Sequence, residues 1–300
     1  MATAFGTGNA PELLWPGIAA MWGTDYSDYP TLYTKIFSVE KASKRFEKVQ
    51  QMTGLGLASV KNEGGSIPMT NLLQGFQKEY VMVTYGLGTS ITHEMMQDEQ
   101  YGYIKKVPKF LARSMRQTEE THAFNVLNRH VNTAFLGPDG VALVSTAHVM
   151  AGGGANGSNR LATDADLTQT SLETLLQQLM DEVDDRQLKT RRMPKCLVVP
   201  TASNFRARKL LESAYVTGSA DNDVNPLLGL LADLVGSPWI TDSDAWGVVT
   251  DAEGLRFWRR EATEIFRDNE FSTRNLNIAT TGRWDVSFDD WRCIYGTIGA

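Results

Sequence analysis

Tyr80-Val81-Met82-Val83-Thr84-Tyr85-Gly86-Leu87-Gly88 is followed by Ser90-Ile91-Thr92-His93-Glu94 and Asp98-Glu99-Gln100-Tyr101-Gly102, and then by a helical pattern that runs to Asn132. The first part alternates as a strand does, with Val81, Val83, Tyr85 and Leu87 on one face and Tyr80, Met82 and Thr84 on the other. Apolar weight on both faces predicts a strand partly covered on both sides. In the second part Ile104, Val107, Leu111, Met115, Thr118 and His122 recur at spacings of three and four. Phe110, Phe124, Leu127 and Val131 widen this stripe into that of an amphipathic helix. Pro108 places its regular start near Lys106. At about 1.5 Å per residue such a helix spans roughly 35–45 Å, long enough to act as a strut.

Upstream, residues 1–45 carry Trp15, Tyr26, Tyr29 and Tyr33 without clear period, with a short helix expected near Leu13–Met21. An aromatic-rich irregular segment is costly to leave in water, so it is expected to lie along another surface of this subunit or a neighbour. Residues 46–79 hold Gly54, Gly56, Gly64-Gly65, Pro68 and Gly75, too long a stretch for an ordinary connection. Gly64-Gly65 reads as the tip of a two-armed excursion.

Downstream, Gly152–Asn159 is a loop, and Thr170-x-x-Glu173 is a capping box ahead of Leu172, Leu175, Leu176, Leu179 and Val183. Cys196-Leu197-Val198-Val199-Pro200 reads as a buried strand and Ser203–Glu212 as a helix. Asn225-Pro226 is expected to open another short helix. Trp246–Thr250 is a strand, and this stretch forms an α/β layer. From Leu255 the pattern returns to strand. Trp284, Val286 and Phe288 alternate, Asp289-Asp290 makes a turn, and Trp291–Tyr295 is expected to run back.

The chain has 300 residues, enough for one large or two intertwined domains, and its 42% hydrophobic content supports a substantial core. A net charge of −6 argues against gripping nucleic acid through overall charge. Cys196 and Cys293 each sit in an apolar run and are expected to be buried free thiols. No apolar run is long enough to span a membrane, and no basic segment precedes an apolar one at the start, so neither a transmembrane helix nor a secretory signal is expected.

Candidate chemistry is thin. Ser145-Thr146-Ala147-His148 holds a nucleophile and a base, but sequence neighbours rarely form a triad and no G-x-S-x-G elbow occurs. His93-Glu94, and His122 with Glu119-Glu120, lack a recognised metal-ligand spacing. Asp181-Glu182 with Asp184-Asp185 is expected to be a solvated face answered by Arg186, Lys189, Arg191 and Arg192. Lys41, Lys44, Arg45 and Lys48 near Phe46 form a small basic cluster, expected to meet acids of a neighbour more readily than DNA. No catalytic residue, metal or cofactor is expected.

The order of Tyr85–Thr92, Asp98–Gly102, Asp139-Gly140 with Ser145–His148, and Arg283–Val286 through Arg292–Gly296 resembles tailed-phage major capsid proteins, especially the Mu-like major head subunit family. The resemblance covers most of the chain from Tyr80 onward and is weaker before it. It implies an α+β tailed-phage capsid fold: an N-terminal arm over 1–45, an E-loop over 46–92, a peripheral domain with a spine helix over 93–144, an axial domain over 145–254, and a returning β element of the peripheral domain over 255–300. It further implies a major head protein that assembles itself as hexamers and pentamers into an icosahedral shell around double-stranded DNA, without sequence-specific binding and without a membrane. A portal at one vertex and a separate scaffolding protein follow by the same analogy, with assembly in the host cytoplasm and the mature protein in the virion. Trp15, Tyr26, Tyr29 and Tyr33 of the arm, and Lys61, Gly64 and Gly65 near the loop tip, are the expected inter-subunit contacts. The alternatives are the shell of a bacterial encapsulin-type nanocompartment, with the same fold and a different cargo, and an unrelated α/β enzyme, which would need a deep pocket of converging polar groups.

Overall fold

A computed structural model describes residues 10–98, 102, 104–216, 223–270 and 272–300. Residues 1–9 of the arm, Glu99, Gln100 and Tyr101 of the motif, and the side chain of Trp15 lie outside the described part.

The alternating run is two strands, not one. β2 (Phe46–Met52) pairs antiparallel with β3 (Gln74–Val81), while β4 (Val83–Ile91) pairs antiparallel with β9 (Leu276–Phe288). Met82 is the joint: its side chain is buried and its N–H donates to the Arg45 carbonyl at 3.1 Å. Coverage on both faces does not hold. Tyr80 and Met82 are buried, whereas Val81, Val83 and Leu87 are each nearly half exposed. Alternation distinguishes the two faces of a strand, but cannot say whether anything packs on the second.

β1 (Ser38–Lys41) runs parallel to β8 (Leu255–Asn269), giving a first sheet of order β1-β8-β9-β4. β8 slips register around Glu261, and such irregularities bend and twist a long strand. The helix α3 (Val107–Asn128) lies against this sheet, after the short α2 (His93–Asp98). Leu111, Ala112, Met115, Ala123, Phe124 and Leu127 form its buried stripe. Phe110, expected in that stripe, is 59% exposed, because it sits about 100° around the helix from Leu111. The N-terminal helix α1 (Ala10–Asp28) packs on α3 and is longer than the short helix expected near Leu13–Met21.

The second sheet has the order β10-β7-β5-β6, from β5 (Pro194–Pro200), β6 (Asp233–Ser237), β7 (Trp246–Thr250) and β10 (Ile294–Thr297). Its side chains divide by strand period. Cys196, Val198, Val249 and Ile294 join the core shared with α3 and the first sheet. Leu197, Val199, Trp246, Val248 and Tyr295 face the core formed with α4 (Gln169–Met180) and α5 (Asn204–Glu212). This two-sided burial explains why Trp291–Tyr295 does not run back along β9. The chain passes through a 3-10 turn at Trp291–Cys293 and enters the second sheet beside β7, where both Ile294 and Tyr295 are covered.

The box capping α4 is Thr168 with Ser171, two residues ahead of Thr170 and Glu173. Asn225 opens a turn instead of a helix. Its Oδ1 accepts the Leu227 N–H at 3.0 Å, and its Nδ2 donates to the carbonyls of Leu210 at 2.7 Å and Ser213 at 2.9 Å.

Candidate assembly surfaces

The β2–β3 hairpin is fixed at its root and bare at its tip. At the root, the Tyr80 hydroxyl donates to Asp289 Oδ1 at 3.0 Å and the Val81 N–H to Asp285 Oδ2 at 3.0 Å. Gln51 Nε2 donates to the Asp289 carbonyl. Arg256 ties Asp289, at 3.0 Å, to Glu40. Farther out, the Thr53 N–H and hydroxyl both reach the Leu73 carbonyl, and Arg186 donates to the Asn71 carbonyl at 2.6 Å.

From residue 54 to 73 the chain makes no ladder among the described residues. A turn closes it where the Gly65 N–H donates to the Asn62 carbonyl at 3.0 Å. Gly64 has φ of 73°, the left-handed geometry that the third position of a type II turn requires. Lys61, Gly64 and Gly65 are all exposed at this tip. So are Leu57, Val60 and Met69, at 83%, 92% and 92%, with Leu55, Ile67 and Leu72 more than half exposed. A concentration of exposed apolar side chains on one projecting segment marks a surface completed by another molecule. These residues were missed by sequence reasoning, which singled out the tip glycines. The signal was present as aperiodic apolar residues inside a turn-rich stretch.

The arm tyrosines lie elsewhere. Glu119 of α3 is fully buried and gathers the Tyr26 hydroxyl at 2.5 Å, the Tyr33 hydroxyl at 3.2 Å and Thr263 Oγ1 at 3.0 Å. Arg116 and Arg259 reach it at 3.0 and 3.1 Å. Burial, reinforced by Glu119, pushes the Tyr26 hydroxyl up to about 12, so it remains a donor at neutral pH. Tyr33 is 1% exposed and stacks on Phe257, and Tyr26 stacks on Trp22, so both hold the N-terminal segment to its own subunit. Tyr29 is half-buried. The structure therefore does not bring Tyr26 and Tyr33 together with Lys61, Gly64 and Gly65 on one free surface. The tertiary fold, which places the acid of α3 under the arm, decides this.

The remaining polar motifs are built into the scaffold. His148 is fully buried, with Nδ1 2.6 Å from Asp139 Oδ2, Nε2 3.0 Å from Asn159 Oδ1, and its ring stacked on Trp291. Asn159 Nδ2 lies within hydrogen-bonding distance of the carbonyls of Leu143, Trp291 and Ile294. The Ser145 N–H donates to Asn159 Oδ1 at 2.8 Å. The expectation of a solvated acidic face is half right. Asp181 pairs with Lys189 at the surface, but Glu182 and Asp185 turn inward onto Arg292, at 2.7 and 3.0 Å. These acids lie beyond the end of α4, where the chain has left the helix and folds back on itself through a Val183–Lys189 bridge. Among the described residues no group of three metal-ligating side chains converges. In the basic cluster, Lys48 pairs with Glu79 at 3.1 Å, and Glu47 accepts the N–H groups of Ser43 and Lys44.

A mixed helix-and-sheet body with a long strut helix, a second sheet buried on both faces and a projecting hairpin with a bare apolar tip defines a shell-forming subunit. A sequence model described as phage capsid protein matches residues 76–297. The chain belongs to that phage capsid family and is a major capsid protein. No curated protein matches it in sequence. Among solved structures it is similar to the capsid of cyanophage P-SCSP1u, at 10% identity and a TM-score of 0.60, covering 90% of this chain and 88% of that one. It is also similar to the capsid of a native GTA particle, at 14% identity and 0.58, covering 89% of each. A virus-like particle from Pyrococcus furiosus matches at 9% identity and 0.57, covering 94% of this chain and 98% of that one.

Proposed function

We propose that this capsid protein is an icosahedral head subunit of the Mu-like kind, built by hexamers and pentamers around double-stranded DNA. The observation that carries this reading is the 54–73 tip, whose apolar side chains find no cover in their own subunit. In the proposed shell Lys61, Gly64 and Gly65, with Leu57, Val60 and Met69 beside them, rest on a neighbouring copy. Each such contact contributes about 25 cal/mol per Å² of apolar surface before ordering costs, and closed symmetry multiplies it. Residues 1–45 serve as the arm, 46–92 as the E-loop, 93–144 and 255–300 as the peripheral domain and 145–254 as the axial domain. A separate scaffold, a portal at one vertex and assembly in the host cytoplasm belong to the same proposal, as does the absence of a catalytic role.

The likeness to the Pyrococcus furiosus particle favours one second reading, a nanocompartment shell with a protein cargo; the phage capsid family match favours the first. Negative-stain microscopy of the purified chain, alone and with a candidate scaffold, tests both. Closed shells are expected, and a chain that stays monomeric with and without scaffold at every salt concentration sinks the proposal.

A further inference from the structure

α5 carries the largest positive charge of the described helices. Ala207 is buried beneath it, with Leu210 and Leu211 half-buried against the same core. The opposite face presents Phe205, Arg206, Arg208 and Lys209, all exposed. None of these three cations forms an ion pair among the described residues, whereas Arg116, Arg160, Arg256, Arg259 and Arg292 each hold a carboxylate. Glu212 is the one acid on the helix, so three cations less one anion leave a local charge of +2 in a chain whose net charge is −6. The Lys41–Lys48 cluster differs, since Glu40, Glu47 and Glu79 lie within it or on it.

We propose that the outward face of α5 is the subunit's contact with the phosphate backbone of duplex DNA. The inference rests on the reading of the shell as a DNA container. Arg206 and Lys209, three residues apart, have Cβ atoms about 5–6 Å from each other, a spacing at which both reach successive phosphates of one strand. The acidic remainder of the chain repels the same backbone and confines contact to this face. Three cations release at most about three counterions, which sets a log–log salt slope near −2.7, so affinity falls about 40-fold between 50 and 200 mM salt. Such a contact steadies packed DNA without holding it. Charge dominates the face, and Phe205 is its sole apolar member.

The test is fluorescence anisotropy of a labelled 20-base-pair duplex titrated with the purified, unassembled full chain from 50 to 200 mM NaCl. The wild type is expected to show the slope above. The Arg206→Gln/Arg208→Gln/Lys209→Gln variant is expected to bind at least tenfold more weakly at 50 mM, with most of the slope gone. Its circular dichroism should match wild type, because all three side chains are exposed. Phe205→Ala is expected to leave DNA affinity unchanged. Undetectable wild-type binding at 50 mM, or a triple variant with unaltered affinity and slope, overturns the proposal. So does a Phe205→Ala variant that forms no particles while the triple variant forms them normally, since that marks a protein dock. Particle formation is scored separately by microscopy, so failure of the shell reading remains distinct from failure of the DNA contact.

Discussion

Single residues explain why this subunit holds together around so many buried polar groups. Asn159 is fully buried and serves three carbonyls drawn from the 143 loop, the 3-10 turn and β10, while its oxygen receives His148. Removing it strands those groups in a low-dielectric interior, where an unmade hydrogen bond costs more than a made one contributes. Asn159→Ala is expected to lower the unfolding free energy of the unassembled subunit by about 2–4 kcal/mol in urea titrations. Glu120 sets a pH dependence. It accepts the N–H groups of Leu32 and Tyr33 at 2.6 and 3.2 Å. Burial nevertheless raises its carboxyl from 4.5 to about 7, outweighing those two bonds. The folded state thus keeps a proton that the unfolded chain releases. The resulting stability is complete below about pH 4.5 and is lost as pH rises through about 7, up to about 3 kcal/mol in all. Urea midpoints should fall from pH 5 to pH 8 in the wild type and fall less steeply in Glu120→Gln, where Glu182, also raised to about 7 by burial, supplies the remaining slope. An unchanged pH profile in that variant would falsify the assignment.

At the scale of elements, the strut and the hairpin behave oppositely. α3 is tied into the largest core by Met115, Phe124 and Leu127. Met115→Ala is expected to cost about 2–5 kcal/mol of subunit stability, measured by thermal unfolding, because the surrounding helix and sheet cannot collapse into the space. The 54–73 tip contributes little to its own subunit. Replacing residues 55–72 with a two-residue Asn-Gly turn should leave the melting temperature within a few degrees of wild type and abolish particle formation. A variant that melts far below the wild type would show that the tip is part of the core. The strut was legible in the sequence, because its stripe repeats over six turns. The division of the strand run at Met82 was not, because β3 and β4 share one alternation and differ only in which partner each pairs with.

At the scale of the whole molecule, the fold leaves a projecting segment that it does not cover. Its root contacts at Asp285, Asp289 and Arg256 aim the hairpin, and its tip exposes apolar surface to solvent. Limited proteolysis of the unassembled chain is therefore expected to cut first between residues 54 and 73, and assembled particles should resist cutting there. Equal protection in both states would count against the role given to Lys61, Gly64 and Gly65.

The sequence by itself determined what depends on neighbours along the chain: the strut helix, the continuous apolar run of β5 and the alternation of β9, the glycine turn at Asn62–Gly65, and the order of elements that resembles a capsid protein. The tertiary structure alone decided where each element's second face went. It drew Tyr26 and Tyr33 onto Glu119, turned Glu182 and Asp185 onto Arg292, sent β10 into the second sheet, and left the loop tip uncovered. The physical reason is that periodicity encodes which side chains share a face, whereas burial of a charge or a ring depends on partners as far away as the 226 positions between Tyr33 and Arg259.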